Sequence, residues 1–511
     1  MTTARTLAVA LSGLDGAIVD VEADLTPQTP AFRVIGLPDK AIGEAVQRVT
    51  NACANRGAPL PKRRLTVNLS PASLPKHGAG FDLAIAVAAL ATELPLDAEP
   101  LARTVHIGEL GLDGRLRPLP GVLPAVLAAR RAGARRVVVP RANLAEAELV
   151  AGVEVWGATC LAEVLRRHGA EIEAPDLEPV ALPATPSREH VAETLDLSDV
   201  IGQPEAVEAL VVAAAGGHHL LLSGPPGAGK TMLARRLPGL LPPLDDDTAL
   251  SAACVRSLAG AGVSRLDHRP PWEAPHHSTS VAALVGGGSR VLRPGAIARA
   301  SGGVLFLDEA GEFTASALDA LRQPLESGRI SIHRAGGVAS YPARFQLVLA
   351  TNPCPCGQFG VPGGLCTCAP AAIRRYLSRL SGPLLDRVDI ELSLRRVAVA
   401  HREGAASAVT DTGSARERVA AARERTLARL HGTPWRRNAD VPGTWLRQGP
   451  SAPPPIVRRP LDAALQRGAL TLRGYDRVLR VAWTLADLAG RGALDPADIG
   501  RALFLKRGMT A

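Results

Sequence analysis

Residues 219–231 read HLLLSGPPGAGKT and run on into MLARRL. An apolar run, a Gly/Pro-rich turn and a helical continuation, in that order, spell strand, loop and helix. Gly224, Pro225, Pro226, Gly227, Ala228, Gly229, Lys230 and Thr231 fit G-x-x-x-x-G-K-[ST] at every position. Such a loop lets backbone N–H groups curl around phosphate oxygens, and the helix N-terminus behind it adds positive potential. Lys230 is expected to reach the β- and γ-phosphates of ATP, and the Thr231 hydroxyl to hold Mg2+.

Two further apolar runs supply partners for this loop. Val304–Leu307 ends in Asp308–Glu309. A carboxylate at the end of a buried strand is costly unless something uses it. Beside a phosphate loop, Asp308 is expected in the Mg2+ shell, and Glu309 is expected to orient and polarise an attacking water. Phe345–Ala350 ends in Thr351–Asn352, and the Asn352 amide could touch the γ-phosphate or that water. A turn-capping Asn is the ordinary alternative. Apolar strands, helices and Gly-rich loops alternate from 197 to 394, the rhythm of a parallel sheet.

A family resemblance becomes specific at this point. APHHSTSVAALVGGG (Ala274–Gly288), GGVLFLDEAGEF, LRQPLESGRISIHRA (Leu321–Ala335), LVLATNPCPCG and LSRLSGPLLDRVDI (Leu377–Ile390) closely resemble the magnesium-chelatase-like AAA+ ATPases, and within them the YifB/ComM family. The resemblance covers nearly the whole chain. It implies that Gly224–Thr231 is Walker A, Asp308 and Glu309 are Walker B, and Asn352 is sensor 1. It also implies that Arg387 is an arginine finger reaching a neighbouring subunit's nucleotide, and Arg473 the sensor 2 arginine of a helical lid. Trans-acting arginines imply a ring, a homo-hexamer. LESGRISIHRAG resembles a hairpin that points into the ring's pore, so Arg329, His333 and Arg334 are candidate DNA contacts, against the alternative of a solvated hairpin. His276 and His277 lie in a distinctive motif, but no chemistry attaches to them from sequence.

The N-terminal region alternates strand-like runs (GAIVDVEADL, FRVIGL, RLTVNLS, VHIGELGL, RRVVVP, VEVWG) with helical ones, a mixed α+β pattern. It resembles the proteolytic domain of Lon, where a serine attacks and a lysine activates it. Aligned with the Lon segments, Gly80 stands at the serine and Leu123 at the lysine, while Ser70, Ser73 and Lys76 are off register. The expectation is a Lon-like fold without peptidase activity. The domain reading is therefore a Lon-protease-like α+β domain at 1–168 and a Pro/Glu/Ala linker at 169–196. An α/β AAA+ P-loop core with a parallel sheet follows at 197–394. A variable Arg-rich helical connection at 395–455 and a helical lid at 456–511 complete the chain.

Cys354, Cys356, Cys366 and Cys368 form C-x-C-x9-C-x-C. Two thiolate pairs on Gly/Pro-rich turns can close a tetrahedral Zn2+ site, although the spacing within each pair is tighter than usual. Reduced, unliganded thiols are the alternative. The chain has seven cysteines, an odd number, which does not suit a secreted disulfide framework and points to a reducing cytoplasm. No apolar stretch is long enough to span a membrane, so no membrane partner is expected.

The formal charge is +9, and its placement matters more than its size. Residues 391–511 hold 21 Arg or Lys against 11 Asp or Glu, so the whole excess lies in the C-terminal quarter. That asymmetry suggests a polyanion such as DNA; a solvated Arg-rich surface is the bland alternative. The leading expectation is a ring-forming ATPase motor on DNA with a branch-migration task in recombination or natural transformation, as the resemblance implies. The alternatives are a metal-chelatase motor subunit and a protein remodeller. Against the chelatase stand the Lon-like unit and the absence of a D-x-S-x-S metal-binding motif.

Overall fold

The computed structural model describes residues 3–36, 40–182, 195–288, 292–334, 337–361, 363–396 and 410–507. Residues 183–194 of the expected linker and 397–409 of the expected variable connection lie outside the described residues, as does the side chain of Arg334.

The N-terminal sheet has seven strands in the order Ala31–Ile35, Arg64–Ser70, Asp15–Thr26, Thr3–Ser12, Thr104–His106, Arg136–Pro140, Glu154–Ala158. Its long hairpin pairs Thr3 with Asp24 through to Ser12 with Asp15. Alternation sets its two faces: Val19, Val21, Ala23 and Leu25 point into the core from one strand. Helix Asp82–Leu90 is apolar all round and buried at every position, as such a helix must be. Asp82 pairs there with Arg48 (2.7 Å). VHIGELGL, read as one strand, is two short ones, Thr104–His106 and Glu109–Leu110. Between them Gly108 donates its N–H to the Gly80 carbonyl, and the chain leaves the sheet.

The second sheet runs Trp272–Glu273, Val304–Leu307, Gln346–Thr351, Leu220–Ser223, Ile390–Ser393, and all its neighbours are parallel. Val304–Leu307 and Gln346–Thr351 are buried at every residue. That explains the apolar runs Val304–Leu307 and Leu347–Ala350, because helices cover both faces of a parallel sheet. Register does the functional work. Ser223 lies opposite Thr351, and Leu307 opposite Leu349, so the residues that follow these strands emerge along one edge. Ligands bind at that carboxyl edge, where the strand order switches direction.

Helices Thr412–Arg429, Gly443–Gln448, Pro455–Gln466, Leu472–Leu488 and Pro496–Arg507 follow. Ala415, Val419, Ala422, Tyr475, Val478 and Trp483 share one apolar core with Leu220, Leu222, Val348 and Ile390 of the sheet.

The N-terminal sheet and the phosphate-loop sheet belong to units that touch directly. Val122, Leu123, Ala125 and Val126 of helix Val122–Arg131 form one buried cluster with Ala253 and Cys254 of helix Asp246–Leu258. The Gly121 N–H donates to the Ser257 carbonyl at this junction.

Candidate functional site

The phosphate loop starts where strand Leu220–Ser223 ends, and helix Lys230–Leu240 begins inside the motif. Gly227 (φ 78) and Gly229 (φ 85) take left-handed conformations that only glycine adopts cheaply. A side chain at Gly227 would meet nothing within 4 Å, so its backbone faces open space. Lys230 Nζ donates to the carbonyls of Gly224 (2.7 Å) and Pro225 (3.0 Å) and to Asn352 Oδ1 (2.9 Å). Burial pushes its pKa down, against the pull of Asp308 and Glu309. Thr231 donates its hydroxyl to Asp308 Oδ2 (2.7 Å). The four expected groups from three strands thus meet as two bonded pairs, Lys230–Asn352 and Thr231–Asp308.

Glu309 opens a 3-10 turn with φ 51, a left-handed backbone in a non-glycine residue. Such strain persists where surrounding structure enforces it and is common at active sites. The His277 Nδ1 lies 3.1 Å from Glu309 Oε2. His276 stacks on His277, with ring centroids 4.0 Å apart, and bonds the Ser278 hydroxyl. Thr231, Arg235, Trp272, Pro275, His276, His277, Asp308 and Glu309 line one cleft. The sequence offered no chemistry for the His pair; the only signal was its position just after a short strand, Trp272–Glu273, that periodicity did not resolve.

Arg387 is buried and pairs with Glu326, at the end of helix Arg322–Ser327, and with the Pro383 carbonyl. Arg473 lies in the first turn of helix Leu472–Leu488, exposed and without a hydrogen bond or ion pair among the described residues. One turn on, Arg477 enters the core instead, bonding Asp389 Oδ1 (2.6 Å) and the Asp386 carbonyl. Asp389 is fully buried. Burial raises its pKa, but Arg477, His218 and His219 hold it well below the usual carboxylate range. Helix Leu472–Leu488 is thereby fastened beside Arg387, and sequence gave no sign of this second arginine.

Arg329–Arg334 pairs antiparallel with Gly337–Pro342 as a hairpin. Ile330 is buried against the core while Arg329 and His333 are exposed, so the period of two puts both candidate contacts on one open face. The second strand is held by the N-terminal unit: the Ser12 hydroxyl donates to the Val338 carbonyl (2.7 Å), and Gly13 bridges Ser340.

Cys354, Cys356, Cys366 and Cys368 bring their sulfurs together, all within 4.8 Å of one another. In the N-terminal unit, Leu123 is buried in the junction core, and a side chain at Gly80 would meet only Leu119, at 3.6 Å. Lys76 Nζ is bonded to the carbonyls of Pro71 (2.6 Å) and Leu74 (3.0 Å), not to a serine hydroxyl.

Much of the C-terminal charge is engaged inside the fold. Arg418 pairs with Glu208, Arg429 with Asp487, Arg437 with Asp440, and Arg447 with Asp476. Arg423 donates to the Ala214 carbonyl. The side chains of Arg459, Arg467 and Arg473 are exposed and make no hydrogen bond or ion pair among the described residues. Asp487, Asp440 and Asp476 lie within the quarter and are already subtracted in its balance, so of these four pairs only Arg418 with Glu208 offsets the excess from outside.

No helix of the described residues is long and apolar enough to cross a membrane. Residues 196–402 match the family model described as magnesium chelatase, subunit ChlI, and residues 410–506 match the model of its C-terminal part. Residues 21–143 match the model described as subunit ChlI of Mg-chelatase, so the N-terminal unit does not by itself argue against a chelatase. An uncharacterized protein of Mycobacterium tuberculosis is 49% identical, over 99% of each chain. The competence protein ComM of Haemophilus influenzae is 39% identical over 98% of this chain and 97% of its own. The uncharacterized protein YifB of Escherichia coli is 39% identical over 93% of this chain and 91% of its own. A Lon protease of Methanosphaera stadtmanae is 30% identical over 27% of this chain and 17% of its own. With two full-length relatives of this similarity and a nucleotide loop of this geometry, the chain belongs to the YifB/ComM family of magnesium-chelatase-like AAA+ ATPases, with Lon-like similarity in its N-terminal region.

Proposed function

We propose that the protein is a ring-forming motor, a homo-hexamer, that hydrolyses ATP to act on DNA, with a branch-migration or helicase role in recombination or natural transformation. The observation that carries the ATP reading is the meeting of Lys230 with Asn352 and of Thr231 with Asp308 at one sheet edge. The DNA reading rests on the exposed Arg329 and His333 face and on the relative named as a competence protein.

The left-handed Gly227 and Gly229 and their neighbours present backbone N–H groups to the phosphates of ATP. Lys230 leaves the loop carbonyls for the β- and γ-phosphates. Thr231 and Asp308 would hold Mg2+, which would supply neutralisation of phosphate charge. Glu309 accepts hydrogen bonding from the attacking water, and Asn352 orients the γ-phosphate or that water. Arg387, from a neighbouring subunit, stabilises charge on the transferred group, and Arg473 approaches from the lid. The same reading gives Zn2+ to the four cysteines, a cytoplasmic location, no peptidase activity, and five units at 1–168, 169–196, 197–394, 395–455 and 456–511.

The test is steady-state ATP hydrolysis, alone and with single-stranded, duplex and four-way-junction DNA, with Glu309→Gln as control. Stimulation by single-stranded or branched DNA supports the motor. Hydrolysis indifferent to every DNA overturns it in favour of the second reading, a protein remodeller or chelatase-type subunit. That second reading draws on the chelatase models that match across the chain.

A further inference from the structure

We infer that the four cysteines bind one Zn2+ that braces the phosphate loop, so that metal occupancy sets the affinity of the chain for ATP. The coupling rests on the reading of Gly224–Thr231 as the ATP site.

Three of the four sulfurs lie at the edge lengths of a single tetrahedral ion, and the sulfur of Cys368 lies within 4.8 Å of them. Cys354 Sγ lies 3.4 Å from Cys356 Sγ and 3.8 Å from Cys366 Sγ, and Cys356 and Cys366 are 3.7 Å apart. Four ligands at a Zn–S distance of about 2.3 Å imply tetrahedron edges of roughly 3.8 Å. A disulfide needs about 2.05 Å, and all the cysteines are free. An iron–sulfur cluster would hold its four thiolates much farther apart, around its outside. Soft thiolates in a tetrahedron select zinc over harder cations. Cys354 is buried, and the Phe359 N–H donates to its sulfur (3.3 Å).

Among the described residues of the loop from 354 to 368, turn hydrogen bonds run from the Val361 N–H to the Gln358 carbonyl and from the Gly364 N–H to the Val361 carbonyl. Phe359 is 50% exposed and Leu365 is 88% exposed, so its large apolar side chains do not form a core. A metal is the device that closes such loops when burial cannot.

This loop touches the nucleotide site twice. It begins two residues after Asn352, the partner of Lys230. Its first turn also presses on the phosphate loop itself. The Gly357 N–H bonds the Cys354 carbonyl (3.0 Å), and Gly357 takes φ 75. A methyl at Gly357 would lie 2.4 Å from Pro226 Cδ. On its other side, the Pro226 carbonyl accepts from Arg396 Nε (3.0 Å). The cysteine turn is thus one wall of the phosphate loop, and the metal fixes that wall.

The full chain would be purified without added chelator and its metal measured by elemental analysis. Binding of a fluorescent ATP analogue would then be titrated on the metal-loaded, chelator-stripped and zinc-restored protein, with circular dichroism reporting the fold. One zinc per chain is expected. Stripping should weaken nucleotide binding by about tenfold, and zinc should restore it. Cys366→Ser with Cys368→Ser should lose the metal and reproduce the stripped state. Gly357→Ala should keep the metal and still weaken nucleotide binding. A folded chain that neither carries nor takes up zinc overturns the metal site. A chain that binds zinc but holds the analogue equally well after stripping overturns the coupling. Zinc-loaded, folded protein that never binds the analogue overturns the ATP-site reading and the coupling with it, leaving the metal site standing.

Discussion

His277 places its Nδ1 3.1 Å from Glu309 Oε2, across the cleft that Thr231 and Asp308 also line. A carboxylate held by an imidazole is less free to turn toward water. His277→Ala should therefore raise ATP hydrolysis in the absence of DNA several-fold and shrink any stimulation by DNA. Glu309→Gln should cut hydrolysis by at least about a hundredfold while leaving nucleotide binding intact. Turnover and analogue binding, each measured on both variants, separate the two effects.

Arg387 pairs within its own chain with Glu326, which ends the helix leading into the Arg329–Pro342 hairpin. Arg387→Ala should lower hydrolysis by about a thousandfold if the guanidinium serves a neighbour's nucleotide. Mixing Arg387→Ala chains with Glu309→Gln chains should recover part of the activity, because some interfaces then pair an intact arginine with an intact glutamate. No recovery over a range of mixing ratios would show that Arg387 acts only within its own chain.

Arg329 and His333 share the open face of the hairpin. DNA affinity should fall steeply between low and moderate salt, and Arg329→Ala should reduce the slope of log affinity against log salt by about one. Arg459→Ala, on an exposed residue of helix Pro455–Gln466, should change that slope less. An unchanged slope for Arg329→Ala would remove the hairpin from the DNA path.

His219 receives the Leu347 N–H at Nδ1 (3.0 Å), which only a neutral ring can do. Burial, with help from Arg477 and Arg437, pushes its pKa down to about 4, although Asp389 pulls the other way. A folded pKa below the unfolded value of about 6.5 means that the unfolded chain binds more protons between those values. The stability is present above pH 6.5 and is lost as pH falls toward 4, by up to about 3 kcal/mol for this group. Thermal melts from pH 7 to pH 5 should show that loss, and His219→Gln should flatten the dependence.

Lys76 bonds two backbone carbonyls rather than a serine, and Leu123 lies in the junction core. The purified protein with ATP should degrade no casein-type substrate. Degradation that disappears in Lys230→Ala would contradict this.

Leu123→Ala should also separate packing from chemistry at the same position. It removes a fully buried side chain from the cluster shared with Ala253 and Cys254 and should cost about 2–5 kcal/mol. Chemical denaturation of the full chain measures it.

The phosphate loop, the acidic strand end and the parallel sheet were legible because each is local. An apolar run, a Gly-rich turn and a lysine fix their own strand–loop–helix within thirteen residues. The family resemblance was legible for the same reason, being carried by contiguous motifs. Less was legible where a residue's role depends on what lies opposite it. The His pair gave no chemistry until the strand Trp272–Glu273 paired with Val304–Leu305 and brought His277 to Glu309. Which acid each arginine of the C-terminal quarter faces was decided only by the fold, which set Arg418 against Glu208, Arg429 against Asp487 and Arg447 against Asp476.

By itself, then, the sequence determined the nucleotide loop, the fold class and the family, since short-range patterning dictates strands, turns and helices. Only the tertiary structure decided which distant groups meet. Parallel register put Lys230 on Asn352 and Thr231 on Asp308. Close packing at Gly357 set the cysteine turn against Pro226. An apolar junction joined the Lon-like unit to helix Asp246–Leu258. Such contacts depend on burial and register across hundreds of residues, and no local pattern encodes them.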